Sequence, residues 1–266
     1  MEKFFKWTAW EMQTPQAYGT FHLLFTFIGL AVAILVAFLL RKLNDKQNRI
    51  FLLCIGIFLI LTEVYKQLFY YYVIGGGNYV WWVFPFQLCS VPMYLCVVCG
   101  LCKNERFNKY LYDFMFAFNF FGGIITFIEP SGINHPYITL TLHAYIWHML
   151  LIFIGFYLYF SKRACTSWKG YFKGLGVLGV SVALAQIINL CLKGKGGANM
   201  FYISPYAGNA LFFFGDFCNQ HGWLANMCLY LFGLVLAGAI IYYLGYLIRY
   251  LTSRRKTKTE IKEDNV

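Results

Sequence analysis

Seven long apolar stretches constrain this chain more than any other feature of its sequence. The hydrocarbon core of a bilayer is ~30 Å thick, so a helix needs about 20 apolar residues to cross it. The stretches lie near residues 21–40, 50–74, 84–102, 107–128, 139–160, 170–192 and 227–250. The sequence therefore predicts an all-α, polytopic integral membrane protein built as a seven-helix bundle.

The composition agrees with a membrane domain that fills most of the chain. Of 266 residues, 60% are hydrophobic and only 12% are charged, whereas soluble domains carry about 25% charged residues. We expect an external N-terminal segment at 1–20 and a transmembrane domain at 21–250 with an external cap at 193–226. A basic, charged cytoplasmic tail is expected at 251–266. The opening segment lacks the cleavage-site pattern of a secretory signal.

Basic side chains cluster after the first, third, fifth and seventh predicted spans. They are Arg41, Lys42, Lys46 and Arg49; Lys103, Arg106 and Lys109; Lys162, Arg163, Lys169 and Lys173; and Arg249, Arg254, Arg255, Lys256, Lys258 and Lys262. Cytoplasmic loops carry an excess of Lys and Arg, so the pattern predicts an external N-terminus and an internal C-terminus. This topology accounts for the net charge of +11 without a nucleic-acid partner. The clusters also suit anionic lipid head groups.

The nine cysteines lie mostly inside predicted spans, so we do not expect a disulfide framework. Cys96, Cys99 and Cys102 recur at every third position of the third span. They drift around the helix by ~60° at each step and no obvious fourth ligand is near. The sequence therefore predicts neither a metal site nor a cofactor.

Polar side chains recur in the middle or outer part of four of the predicted spans. They are Glu63, Lys66, Gln67, Gln87, Cys89, Ser90, His143, His148, Gln186 and Asn189. A polar or ionisable group in the hydrocarbon region is costly and usually faces the bundle interior, where it has a function. We call this set the polar layer and predict that it forms the functional site.

A cysteine and a histidine of the polar layer lie at matching depth. Cys89 follows Phe84 by five residues, which places it ~8 Å below the outer boundary, and His143 lies four or five residues into the fifth span. An imidazole near a thiol can activate it as a nucleophile. The alternative is an ordinary core cysteine and an interfacial histidine. His148 lies ~140° from His143 on the helical wheel, so the two do not share a face.

Two further polar groups share helix faces. Glu63, Lys66 and Gln67 occupy positions i, i+3 and i+4, and the opposite charges lower the cost of burying each other. They indicate either a substrate or proton path, or an ion pair that holds helices in register. Gln186 and Asn189 also share a face and suit hydrogen bonds to a carbonyl or phosphate oxygen, or bonds between helices.

Several motifs in fixed order carry a family resemblance. They are Glu63, Pro85-Phe86-Gln87-Leu88-Cys89-Ser90, Gly122-Gly123, Pro130, His143, Asn189, and Gly197-Ala198-Asn199-Met200-Phe201 with Pro205. With these motifs the chain resembles the YwaF-like family of bacterial integral membrane proteins, which is related to an animal seven-span transmembrane acyltransferase. Gln87 departs from the bacterial pattern, in which a histidine is common at that position.

The resemblance implies an enzyme that moves fatty acyl chains between phospholipids. It implies that Cys89 forms an acyl-thioester and that His143 is the base. With the polar layer it favours a lipid-acting acyltransferase or hydrolase in the cell membrane, with Asn189 and Asn199 stabilising the oxyanion. The other expected supporting residues are Glu63, Lys66, Gln87, Ser90, His148 and Gln186.

Two other function classes remain open on the sequence. A small-molecule or ion transporter, or a ligand-binding membrane protein, would use the buried Glu63 and Lys66. A scaffold subunit would have no site at all. Membrane lipids are the expected partners in the enzyme hypothesis, while the sequence leaves protein partners open.

Overall fold

A computed structural model of the protein describes residues 1–208, 211 and 214–263. Residues 209, 210, 212 and 213 of the predicted cap and 264–266 of the predicted tail lie outside the described residues. The described chain is mostly helical and forms no strand, and an isolated bridge joins Glu11 to Tyr137. The all-α prediction is therefore confirmed.

Ten α-helices form the described part of the chain. They are α1 Glu2–Trp7, α2 Thr20–Leu39, α3 Asp45–Phe69, α4 Val91–Leu101, α5 Glu105–Phe114, α6 Phe120–Ile128, α7 Ile138–Phe160, α8 Trp168–Cys191, α9 Phe214–His221 and α10 Trp223–Glu263. A π-helical turn, Tyr70–Ile74, continues α3, and another, Met115–Asn119, joins α5 to α6.

Six helical segments of the described chain are long and apolar enough to cross a membrane. They are Thr20–Lys42, Asp45–Ile74, Glu105–Ile128, Ile138–Phe160, Trp168–Cys191 and Trp223–Arg254. Each coincides with a predicted span to within a few residues at either end. The chain is a multi-pass membrane protein.

The third predicted span, 84–102, forms a shorter apolar helix. The helical stretch Leu88–Leu101 is ~21 Å long at 1.5 Å per residue, which is less than the hydrocarbon thickness. Pro85 and Pro92 account for the difference, because proline lacks an N–H group and disfavours helical backbone in the preceding residue. Pro92 is tolerated at the start of α4, where the first N–H groups have no partner in the helix.

Contacts between loops define two ends of the bundle. At the upper end, the N-terminal segment meets the loop before α7, where the N–H of Met12 donates to the carbonyl of Pro136. The Lys195 ammonium lies 5.4 Å from the centre of the Trp81 ring at this end. At the lower end, Arg163 donates to Asp45 over 2.8 Å. The polar layer lies nearer the upper end.

Helices α3 and α4 pack closely because glycine occupies their contact. A Cβ atom at Gly100 would lie 2.9 Å from the Cα of Leu53, whereas a Cβ at Gly122 would meet nothing within 4 Å. We expect Gly100→Ala to lower the free energy of unfolding by ~1–3 kcal/mol, because overpacking forces the helices apart.

Thermal unfolding in detergent measures this effect, with Gly122→Ala as the matched control. Alanine should stabilise a helix slightly where space allows it. Equal unfolding temperatures for the two variants would contradict the close approach of α3 and α4.

Candidate functional site

The backbone around Cys89 is held by two neighbouring elements. Cys89 lies in a single 3₁₀ turn, Leu88–Ser90, at the start of α4. The indole N–H of Trp147 on α7 donates to the carbonyl of Cys89 over 2.9 Å, and the Nδ2 of Asn119 donates to the carbonyl of Leu88 over 2.8 Å. The thiol is therefore fixed at the N-terminal end of a helix, where the macrodipole favours a negative charge.

Cys89 is surrounded by protein but is not fully buried. Cys89, His148 and Tyr202 lie deep in the bundle with protein on all sides, and yet each stays partly accessible. The phenols of Tyr202 and Tyr230 lie within electrostatic range of the thiol. Cys89 is therefore neither sealed in the core nor open at the surface.

The two histidines of α7 make different contacts. The ring of His143 stacks on Trp147 with 5.3 Å between ring centres, and its buried Nε2 has no partner in the described structure. The Nδ1 of His148 lies 2.8 Å from the carbonyl oxygen of Ala144. Because a carbonyl only accepts, Nδ1 carries the proton and Nε2 presents a lone pair.

Cys89 and His143 thus share a neighbour without direct contact. The indole of Trp147 touches both, but no hydrogen bond of the described structure joins the thiol to either imidazole. The matched depth predicted from the sequence corresponds to this shared contact. A reacting group would have to bridge the remaining space, or a small rearrangement of the side chains would have to close it.

The acidic and basic residues of α3 form an ion pair that extends into a chain of hydrogen bonds. Lys66 lies 2.9 Å from Glu63, and the Nε2 of Gln67 donates to Glu63 over 2.6 Å. Gln67 also donates to the carbonyl of Val83 and accepts from the hydroxyl of Tyr79, each over 2.6 Å. The ion pair lies within one helix, so Gln67 rather than the pair links α3 to the chain entering α4.

The ammonium of Lys66 lies within electrostatic range of the reactive side chains of the site. Its charge acts on the thiol of Cys89 and on the rings of His143 and His148. In the loop before α7, burial and then the Lys66 ammonium lower the pKa of His135 below its usual value. The Oε2 atom of Glu63 is buried and unpartnered in the described structure, so one carboxylate oxygen remains open to a donor.

Two carboxamides of the polar layer bind the backbone of one loop. The Nε2 of Gln87 donates to the carbonyl of Asn199 over 2.7 Å, and the N–H of Phe201 donates to the Oε1 of Gln87 over 2.8 Å. The Nδ2 of Asn189 donates to the carbonyl of Met200 over 3.0 Å, and the N–H of Met200 donates back to its Oδ1 over 2.7 Å. Both side chains therefore anchor the segment 199–204.

Asn199 stabilises the same segment from within. Its Oδ1 accepts from the N–H of Ser204 over 2.8 Å, and its Nδ2 donates to the carbonyl of Gly208 over 3.0 Å. These bonds hold Tyr202 beside Cys89 with a positive φ of 55°. Asn189 and Asn199 can bind an oxyanion, as predicted, only after giving up bonds to the backbone.

The remaining predicted residues lie near the site without a comparable set of bonds. Ser90 is buried beside the thiol of Cys89. Gln186 precedes Asn189 by one turn on α8, and its buried Oε1 has no partner in the described structure. No three His, Cys, Asp or Glu side chains of the described residues come together as a metal site.

Three aromatic and polar residues beside Cys89 carry no prediction from the sequence. Trp147, Tyr202 and Asn119 were not predicted as site residues, although each touches Cys89 or its turn. Asn119 is a polar residue inside a span, so the criterion that defined the polar layer would have found it. Trp147 and Tyr202 carry no such signal, because aromatic residues make up 21% of the chain.

Comparison with known proteins places the chain in a family. Residues 17–247 match the family model described as the TMEM164 family. The chain belongs to the TMEM164 family. The matched region includes every residue of the polar layer, so the candidate site of this TMEM164 family member lies within it. No curated protein and no solved structure matches the chain.

Proposed function

We propose that this TMEM164 family member is a membrane-embedded lipid enzyme that forms an acyl-thioester on Cys89. The observation that carries the proposal is the partly accessible Cys89, whose carbonyl accepts from the indole of Trp147 on α7, the helix that also carries His143 and His148. A nucleophile and a base near one another inside an apolar bundle suit acyl transfer from a phospholipid. The resemblance to a transmembrane acyltransferase supports the same reaction.

The reaction has two halves, formation of the acyl-thioester and transfer of its acyl group. A histidine takes the thiol proton, and the sulfur of Cys89 attacks the carbonyl carbon of a lipid ester. The tetrahedral intermediate collapses, the carbon–oxygen ester bond breaks, and the imidazolium returns the proton to the leaving alkoxide as a lysolipid departs. In the second half, the hydroxyl of an acceptor lipid gives its proton to the imidazole and attacks the thioester; the carbon–sulfur bond breaks, and the imidazolium returns the proton to the sulfur. Water in place of the acceptor gives a fatty acid.

The geometry favours His148 over His143 as the base. The carbonyl of Ala144 fixes the tautomer of His148 and leaves Nε2 free to accept a proton. Like Cys89, His148 is surrounded by protein and stays partly accessible. His143, the base expected from the sequence, stacks on the ring of Trp147 and remains the second candidate.

Lys66 and the start of α4 stabilise the negative charge that develops on the carbonyl oxygen. The Lys66 charge already acts on the thiol, and the N–H groups of the first turn of a helix have no partner within it. This assignment replaces the predicted oxyanion role of Asn189 and Asn199, whose carboxamides bind the loop.

We also propose that the chain crosses the cell membrane seven times, with its N-terminus outside. In support, the short helix α4 connects Trp81 at the upper end to Glu105, which lies 3.8 Å from Arg49 at the lower end. The clusters of Lys and Arg then all lie on the cytoplasmic side. The upper end is external, and the site faces the outer leaflet.

Transport of an ion or small molecule is the second candidate function. It is favoured by the unpartnered Oε2 of Glu63, since an open carboxylate inside a bundle suits a proton or a cation. Loss of uptake in Glu63→Gln, with unchanged lipid composition, would support transport over acyl chemistry.

Lipid mass spectrometry on the purified protein in phospholipid vesicles tests the enzyme. We expect lysophospholipid to appear, together with a phospholipid in which an added lysolipid has gained an acyl chain. Protein heated until unfolded and then returned to the vesicles is the control. If vesicles with the folded protein have the same lipid composition as the control after prolonged incubation, the proposal is wrong.

A further inference from the structure

A groove between α3 and α7 opens on the lipid-facing side of the bundle. Its volume is about 360 Å³, and its exposed lining is apolar. The residues that line it include Phe58 and Thr62 on α3, and Leu142, His143, Ile146 and Trp147 on α7. Both helices are candidate membrane spans, so the groove lies among lipid chains.

The outer rim of the groove is in contact with the surrounding lipid. Phe58, Leu142 and Ile146 expose 45%, 38% and 41% of their surface. In the hydrocarbon region the molecules available to fill an apolar groove are the acyl chains of lipids, because water is absent there. The occupant that fits this place and this lining is therefore a lipid acyl chain.

The inner wall of the groove continues into the candidate site. His143 and Trp147 line the groove and stack on one another, and the indole of Trp147 donates to the carbonyl of Cys89 over 2.9 Å. The side chain of Trp147 therefore separates a chain that lies along α7 in this groove from the turn that carries Cys89.

We infer that the groove binds one fatty acyl chain of the substrate lipid and that Phe58 and Ile146 determine which chain lengths fit. This inference rests on the proposed function for the reaction, and it adds where the acyl chain binds and which residues select its length. Lipid tails are as apolar as the groove, so burial alone gives no preference. The groove selects by shape, because dispersion contacts are lost wherever chain and wall do not match.

The test uses the acyl group that remains on Cys89, since intact-protein mass gives its chain length directly. The full-length protein is incubated with vesicles of short-, medium- and long-chain phosphatidylcholine in equal amounts. Ile146→Trp fills the groove and should raise the ratio of short to long adducts by about tenfold. Phe58→Ala widens the groove and should shift the ratio in the opposite direction.

Leu61→Trp is the matched control, because Leu61 is exposed on α3 and does not line the groove. Its adduct ratio should equal that of the wild type. An unchanged ratio in Ile146→Trp, with adducts present, overturns the groove assignment and leaves the proposed function intact.

Photo-crosslinking with a phosphatidylcholine that carries a diazirine on its acyl chain tests the groove without the reaction. We expect crosslinks at Phe58, Leu142 and Ile146 in the wild type and their loss in Ile146→Trp. If no adduct forms in any protein but these crosslinks appear, the proposed reaction fails and the acyl-binding groove stands. Crosslinks spread evenly over the exposed helix faces overturn the groove.

Discussion

Replacing Cys89 with serine is expected to lower the rate of acyl transfer by about a thousandfold or more. The alkoxide of serine is much harder to form than a thiolate, and loss of a nucleophile removes the covalent route altogether. Cysteine and serine side chains have nearly the same shape. The turn Leu88–Ser90 and the hydrogen bond from Trp147 to the backbone carbonyl of residue 89 should therefore persist. Lysophospholipid release in vesicles and the mass of the protein measure the effect.

Cys54→Ser is the matched control, since Cys54 lies exposed on α3 and takes no part in the site. It should keep the wild-type rate and the wild-type adduct. If Cys89→Ser retained acyl transfer while Cys54→Ser lost it, the nucleophile would lie elsewhere. Equal and full activity in both variants would exclude a covalent mechanism through either thiol.

The membrane-spanning helices could be predicted well because one physical requirement determines them. Spans such as Ile138–Phe160 and Trp168–Cys191 have enough apolar residues to cross and are bounded by polar loops. The third span differed because hydropathy does not register that Pro85 and Pro92 interrupt helical backbone. The structure supplies a shorter helix there, and Cys89 gains its place at the start of that helix.

The site could be predicted only in part, because depth in the membrane does not give rotation about a helix axis. Matched depth brought Cys89 and His143 to the same indole ring, yet it did not show that Trp147 lies between them. The wheel separation of His143 and His148 was predicted, and the two rings make different contacts: His143 stacks on Trp147, and His148 bonds to the carbonyl of Ala144.

The roles of the carboxamides depended on a loop that the sequence does not describe. Asn189 and Gln87 were predicted to serve a ligand, but the segment 199–204 has backbone groups that need partners inside the bundle. Those groups take the carboxamides of both residues. Which backbone groups need a side-chain partner depends on the path of the chain, and the residue types of the spans do not reveal that path.

Replacing His148 with alanine is expected to slow thioester formation by about a hundredfold to ten-thousandfold, the usual contribution of a general base. His148 is the imidazole with a fixed tautomer and a free Nε2. Without it, the rate should rise with increasing pH, because the thiol must ionise unaided. The initial rate of adduct formation, followed by mass spectrometry over a range of pH, measures both effects.

His143→Ala should behave differently, because His143 lines the groove between α3 and α7. We expect it to change the chain-length profile of the adducts and to lower the rate less than His148→Ala does. His221→Ala is the control for loss of an imidazole, since His221 is exposed on α9. The opposite result is that His143→Ala lowers the rate more than His148→Ala does and makes it depend more steeply on pH. That result would identify His143 as the base, as the sequence predicted, and would leave His148 a structural role.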